Sequence, residues 1–369
     1  MRAILLLLHK YTGLFLGLLL SITGISGSLI VFDRELDEML APETANFEPA
    51  QSLASIQLAL DNATAAVDNG SSPTRIMLGR DLQAPHIVRF PAPEGSPGPI
   101  EASIDPGTAQ VLAVRTWGEY PVTWFYHLHL SFLAGPVGEI VVGIMGFCML
   151  FFTISGIVIW WPKNGRWRRA LTIKRHAGAF RLNFDLHKTV GVYFTPLFVM
   201  LALTGMEIVW HDPAEKLVSA FLPVTEADDV RSQASGITPV SADQVATSAQ
   251  AIFPDSAIMR IYLPNADDAA FDVTFKHPEE PWKEYARSAV QIDQYSGEVL
   301  SVWDGREAPA GNVFLDWLFP LHNGDALGQI GRWLVFISGL LPALLFGTGL
   351  YMWWRKRRPE KPRQVSTGS

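Results

Sequence analysis

WFYHLHLSFLAGPVG at residues 124–138 and WLFPLHNGDALGQIG at residues 317–331 align without a gap. Trp124, Leu128, His129, Gly135 and Gly138 fall at the same offsets as Trp317, Leu321, His322, Gly328 and Gly331. The register continues through the apolar run after each stretch, pairing Gly156, Trp160 and Trp161 with Gly349, Trp353 and Trp354. Earlier in each half, His9-Lys10, Gly13 and Gly27 match His187-Lys188, Gly191 and Gly205. The shared residues are of rare types, so the chain reads as an internal duplication.

Four apolar runs, at about 4–32, 138–161, 188–210 and 333–354, are long enough to span a hydrocarbon core of about 30 Å. The first exceeds the apolar core of a signal peptide and lacks a small-x-small cleavage site, so it reads as a retained anchor. At 49% hydrophobic over 369 residues, the chain fits a mixture of membrane spans and water-facing domains. The single cysteine, Cys148, allows no internal disulfide, zinc cluster or CxxC pair, so any redox role needs a bound cofactor.

Charge sets the expected orientation. The short segments, including 162–187 and the tail at 355–369, hold sixteen Lys and Arg against two acids, a net +14. The two long loops hold thirteen against thirty-four, a net −21. The positive-inside rule puts both termini and 162–187 in the cytoplasm, and the loops at 33–137 and 211–332 outside, which is the periplasm for a bacterial inner membrane.

Each outer loop has the same order of patterns. A helix-patterned stretch (55–67; 241–253) precedes short strand-like runs (75–78 and 86–90; 257–263 and 270–277). A hairpin closes each loop, with Asp105-Pro-Gly107 and Tyr295-Ser-Gly297 as turn chemistry. Residues 91–99 form a Pro- and Gly-rich loop in the first. The expectation is an α-helical membrane protein with four transmembrane helices in two parallel helix–domain–helix repeats, each carrying a small α+β domain. Such repeats are related by a pseudo-two-fold axis along the membrane normal.

Four of nine histidines sit at repeat-equivalent positions. The axis would set His9 against His187 on the inner side and His129 against His322 on the outer side. Ionisable residues at membrane depth are costly and mark function. Two opposed imidazoles suit a flat, nearly two-fold symmetric ligand such as haem. His9 and Phe32 are 23 residues apart, about 35 Å along a helix, so the pairs lie near opposite faces of the bilayer. Two haems so placed form an electron path across it.

An isolated histidine at a helix end is usually a capping or snorkelling residue; symmetric pairing is what argues for ligands here. His127 points away from His129 on a helix and is the alternative ligand. His176 reads as a solvated loop histidine that joins His187 only if its segment is helical. His86, His211 and His277 read as ordinary domain residues. Trp160, Trp161, Trp353 and Trp354 fit an interfacial aromatic belt, and Trp124 and Trp317 pack near the outer candidate ligands.

The HKxxG openings, the LHxxxxxGxxG elements, the T/S-G-x-x-x-W-W endings and the ID-x6-VL hairpins resemble the PepSY-associated transmembrane family, from His9 to Trp354. That family includes iron-regulated membrane proteins and ferric-siderophore reductases of the FoxB type. The resemblance implies a di-haem inner-membrane protein with PepSY-like periplasmic domains, which passes electrons outward to Fe(III) held by a siderophore. It also implies that His9, His187, His129 and His322 bind the cofactor as haem-iron ligands, with no separate catalytic residue.

The absences narrow the chemistry. Without CxxCH, both haems would be non-covalent b-type. Without GxGxxG after a strand, the donor would be external, either membrane quinol or a cytoplasmic reductase docking on the basic 163–188 segment. No P-loop or GxSxG occurs, and nothing points to nucleic acid. The acidic loops favour a cationic ferric complex. The competing expectations are a non-catalytic membrane protein whose PepSY-like domains bind a partner, and an iron or siderophore transporter.

Overall fold

The computed structural model describes residues 1–44, 47–48, 52–79, 84–162, 165–174, 176–226, 228, 230–233, 237–280, 282 and 285–357. In chain order the helices are α1 (Arg2–Ile30), α2 (Asp33–Leu40), α3 (Ile56–Val67), α4 (Pro121–Ser131), α5 (Gly135–Trp160) and α6 (Trp167–Ala170). They continue with α7 (Ala179–Tyr193), α8 (Thr195–Val209), α9 (His211–Ser219), α10 (Ala242–Gln250), α11 (Ala310–Asn323) and α12 (Gly328–Arg357). The strands are β1 (Arg75–Met77), β2 (His86–Arg89), β3 (Ile100–Ile104), β4 (Val111–Thr116), β5 (Ala257–Tyr262), β6 (Phe271–Lys276), β7 (Ser288–Ile292) and β8 (Val299–Trp303). The chain divides into a helical unit (Met1–Ser28, Leu128–Val209, Trp333–Ser369) and a sheet unit (Leu29–His127, Trp210–Arg332).

In the helical unit, α1, α5 and α12 are long and apolar enough to cross a membrane, which makes this a membrane-type protein. The expected third span at 188–210 is corrected. It is a pair, α7 and α8, bent by 59° at Phe194, and the total is four spans only if that pair counts as one. Pro196 explains the break: it has no N–H to donate, and its ring clashes with the carbonyl four residues back. Because α7 starts at Ala179, the basic segment expected at 162–187 is shorter by nine residues and His187 is helical. Residues 358–369 of the expected tail lie outside the described residues.

Small residues bring helices of this unit into close contact. A Cβ at Gly24 of α1 would run into the Gly339 carbonyl of α12, and one at Gly17 would meet Phe346 at 2.8 Å. Ser28 Oγ donates to the Phe336 carbonyl of α12 at 2.8 Å. Without a hydrophobic drive between helices in lipid, such close backbone approach and interhelical hydrogen bonding hold them together.

The two expected α+β domains are also corrected. Their strands form one antiparallel eight-stranded sheet in the order β4-β3-β2-β1-β5-β6-β7-β8. The join is β1 with β5, where Ile76 pairs with Ile261. Each half alone would end in an unpaired edge at β1 or β5, and pairing satisfies those N–H and C=O groups. Alternation along the strands decides the faces. Ile76, Val88, Ala102, Ile261, Val273 and Val290 lie on the core face, buried with α3 and α10. Both hairpins carry a register break in the strand before the turn, at Ser103/Ile104 and Gln291/Ile292. The Asp105 and Asp293 carboxylates accept the backbone N–H groups of the turns that follow.

The N-termini of α3 and α10 cap each other. The Asp243 carboxylate accepts Ser55 Oγ at 2.6 Å, the Ile56 N–H at 2.7 Å and the Gln57 N–H at 3.1 Å. Gln57 Oε1 in turn accepts the Ala242 N–H at 3.0 Å. Partial burial would raise the Asp243 carboxyl, but these hydrogen bonds outweigh it and hold it below its ordinary range. Asp243→Ala should lower unfolding stability by about 1–2 kcal/mol. Since the folded value is depressed, this contribution is present above the ordinary aspartate range and is lost as pH falls through the folded value. Unfolding of the full chain at pH 7 and at acid pH checks both: the wild-type advantage over the alanine variant should shrink in acid.

Candidate functional site

His9 lies on α1 and His187 on α7, and their rings face one another edge to face, with centroids 6.3 Å apart and planes at 79°. Both belong to the helical unit. His9 Nδ1 is 2.7 Å from Ser155 Oγ of α5. His187 Nδ1 is 3.0 Å from Thr348 Oγ1 and 3.1 Å from the Leu345 carbonyl, both of α12. Gly156 and Gly349 come next in sequence to the two hydroxyls. A Cβ at either would touch the Cε1 of the neighbouring imidazole at 3.6 Å. The T/S-G pair that ends each repeat motif therefore supplies both the hydroxyl that orients a histidine and the gap beside its ring.

These partners fix the tautomers. A carbonyl only accepts, so His187 Nδ1 carries the hydrogen that points at Leu345. Ser155 Oγ donates to the Phe152 carbonyl at 3.2 Å and Thr348 Oγ1 to the Leu344 carbonyl at 2.9 Å, so each hydroxyl accepts from its histidine. A charged imidazolium at membrane depth is costly, so both rings are neutral. Each Nε2 is then a free lone pair. An Nδ1–H held by an acceptor, with Nε2 left open, is the usual arrangement of a metal-ligating histidine.

The spacing fits a shared metal ion. A metal–imidazole bond of about 2.0–2.1 Å plus about 1.1–1.2 Å to the ring centre, taken twice, gives about 6.3 Å. The open positions fit a flat group. Gly13 and Gly191 lie four residues after His9 and His187, on the same helix faces. A Cβ at Gly191 would meet nothing within 4 Å, and one at Gly13 only Phe152 Cε1 at 3.8 Å. No cluster of three or more His, Cys, Asp or Glu side chains forms among the described residues. Two protein ligands suffice for a macrocycle that brings its own equatorial nitrogens.

A family comparison agrees with this architecture: the chain matches the model described as the PepSY-associated TM region over residues 6–356. The chain belongs to that family. It is also similar to an uncharacterized protein of Pseudomonas aeruginosa, 23% identical over 257 residues. That match covers 63% of this chain and 62% of the relative, so the chain spans under two thirds of the curated relative it matches.

The remaining PepSY-associated candidates divide between the units. His129, on α4, belongs to the helical unit, where its Nδ1 donates to the Thr23 carbonyl at 2.8 Å. A Cβ at Gly27 would sit 2.6 Å from its Cε1, so this ring rests directly on α1. It has the same tautomer as His187, with Nδ1 donating to a main-chain carbonyl. His322 closes the last turn of α11 in the sheet unit. His127 also lies in the sheet unit, beside Gly118.

The other histidines have structural surroundings. His176 is exposed in a turn, not on a helix with His187. His86 is buried and accepts the Gly79 N–H at 2.8 Å, and burial pushes it down to about 4. His277 is buried between Ser256 Oγ at 2.6 Å and Ser288 Oγ at 2.7 Å. His211 is exposed, 3.7 Å from Glu215. Trp317 stacks edge-on against the fully buried Trp282, with centroids 5.0 Å apart. Ser155, Thr348 and the Leu345 carbonyl are the site groups whose roles the sequence reading missed. The side chains were legible as part of the repeated motif ending, but their reach to a histidine on another helix was not.

Proposed function

We propose that this protein is a di-haem b electron-transfer protein of the bacterial inner membrane, and that it reduces a periplasmic ferric siderophore. The observation that carries this reading is the His9–His187 pair, with Nδ1 of both rings engaged and Nε2 of both open. Bound haem would supply one-electron redox chemistry, and one electron converts siderophore-held Fe(III) to the more weakly bound Fe(II). The chain's own groups hold the imidazoles: Ser155, Thr348 and the Leu345 carbonyl set ring orientation and tautomer, and Gly156 and Gly349 let the rings approach their helices. The repeat in the sequence extends the proposal to a second haem on His129 and His322. Electrons would come from membrane quinol or from a cytoplasmic reductase, with both termini and the basic segment on the cytoplasmic side.

Removing the Nδ1 acceptors tests the positioning roles. Ser155→Ala leaves His9 without its acceptor and should weaken haem retention roughly tenfold or more. Thr348→Ala should cost less, because the Leu345 carbonyl still accepts from His187. Haem transfer to an apo-globin acceptor reads both, and equal behaviour of the two variants would contradict the asymmetry.

The whole proposal stands on one spectrum. Detergent-purified protein should show sharp dithionite-reduced bands of six-coordinate b-type haem at about two per chain. A colourless protein from haem-sufficient cells would overturn it and favour a membrane protein whose PepSY-like region binds a partner.

A further inference from the structure

The face of the sheet opposite α3 and α10 carries a row of polar side chains across the seam between the halves. Arg75 pairs with Arg89 on one side and Tyr262 on the other; Tyr262 pairs with Asp272, and Asp272 with Gln291. One step along the strands on the same face, Arg260 pairs with Thr274. Arg89 is committed to Glu101, its Nε donating to Oε1 at 2.9 Å. The Arg75 guanidinium lies 5.6 Å over the Tyr262 ring, and its buried Nε has no hydrogen-bond partner. Asp272 Oδ1, Thr274 Oγ1 and Gln291 Oε1 are likewise buried and unpartnered.

Each buried polar atom left without a partner costs folding free energy, and such atoms are rare in native structures. Here four fall on one face within five adjacent strands. Burial, then the neighbouring Arg89 and Arg260, make Arg75 a poorer holder of its proton; burial raises the Asp272 carboxyl. The cation and the carboxylate do not relieve each other. They lie two strands apart, roughly 10 Å at the sheet spacing. One end of the row lacks an anion and the other lacks a hydrogen-bond donor.

We infer that this sheet face binds a small hydroxycarboxylate, with its carboxylate on Arg75 and its hydroxyl donating to the Asp272, Thr274 and Gln291 acceptors. The guanidinium fork matches a carboxylate and the Tyr262 ring gives the ligand a flat floor. The long loops carry a net −21, which favours cationic ligands at a distance. At short range this face presents Arg75, Arg89 and Arg260 and selects the opposite charge. The inference does not depend on bound haem.

The test is isothermal titration calorimetry of the full-length protein in detergent, at low salt. The probes are citrate and tricarballylate, which is citrate without its hydroxyl. Citrate should bind and tricarballylate should bind more weakly. Arg75→Gln should weaken citrate binding about tenfold or more. Arg75→Lys, which keeps the charge and loses the fork, should fall between. Asp272→Ala should reduce the preference for citrate over tricarballylate. No citrate binding, citrate affinity unchanged in both Arg75 variants, or equal affinity for the two probes would overturn the inference.

Discussion

Replacing His9 or His187 with alanine removes one haem and halves the haem-to-protein ratio, from about two to about one. Either substitution deletes one of two opposed ligands, and the remaining imidazole cannot hold six-coordinate iron alone. Alanine is the best helix former, so α1 and α7 persist and the loss is local. His129→Ala or His322→Ala should instead leave the inner haem in place. The measurement is haem content with reduced spectra, beside thermal unfolding of the same preparations. Loss of both haems from a single substitution in a folded protein would show that the pairing is wrong, and so would loss of neither.

Gly24→Leu should prevent α1 and α12 from closing. A Cβ at Gly24 would meet the Gly339 carbonyl and, at 3.4 Å, Pro342 Cγ, and backbone cannot turn aside as a flexible side chain can. Overpacking of this kind costs about 1–3 kcal/mol, and a fixed main-chain obstacle puts the cost at the upper end. Gly191→Ala is the control, because its added Cβ meets nothing within 4 Å. The midpoint of thermal unfolding in detergent should drop sharply for the first and hold or rise for the second. Equal midpoints would show that the α1–α12 contact contributes little.

The two variants differ only in what lies across from a glycine, which marks where sequence reading stops. Gly24 and Gly191 both read as small residues on apolar helices, permitting either close packing or room for a ligand. Gly24 turned out to serve packing, and Gly191 borders open space. Hydropathy located the apolar runs because lipid imposes a length and a polarity on any spanning helix. It passed over the bend at Phe194, because proline is tolerated within membrane helices and Pro342 sits in α12 without breaking it.

The outer loops show the same division. Alternation, turn residues and the N-cap serines Ser55 and Ser241 are local signals, and they placed strands, hairpins and helices within a residue or a few. The union of two four-stranded halves into one sheet has no such signal. Ile76 and Ile261 look like any buried strand residues, and pairing of β1 with β5 is a choice between distant edges.

The sequence by itself determined the apolar helices, the repeated histidines and the strand alternation, because each follows from spacing along the chain and from the solvent that a segment faces. Only the tertiary structure decided that His9 and His187 meet at 6.3 Å, that Ser155 and Thr348 orient them, and that Arg75 and Asp272 stand uncompensated on one sheet face. Those are contacts between residues far apart in the chain. Their existence depends on how helices and strands pack, which no local pattern encodes.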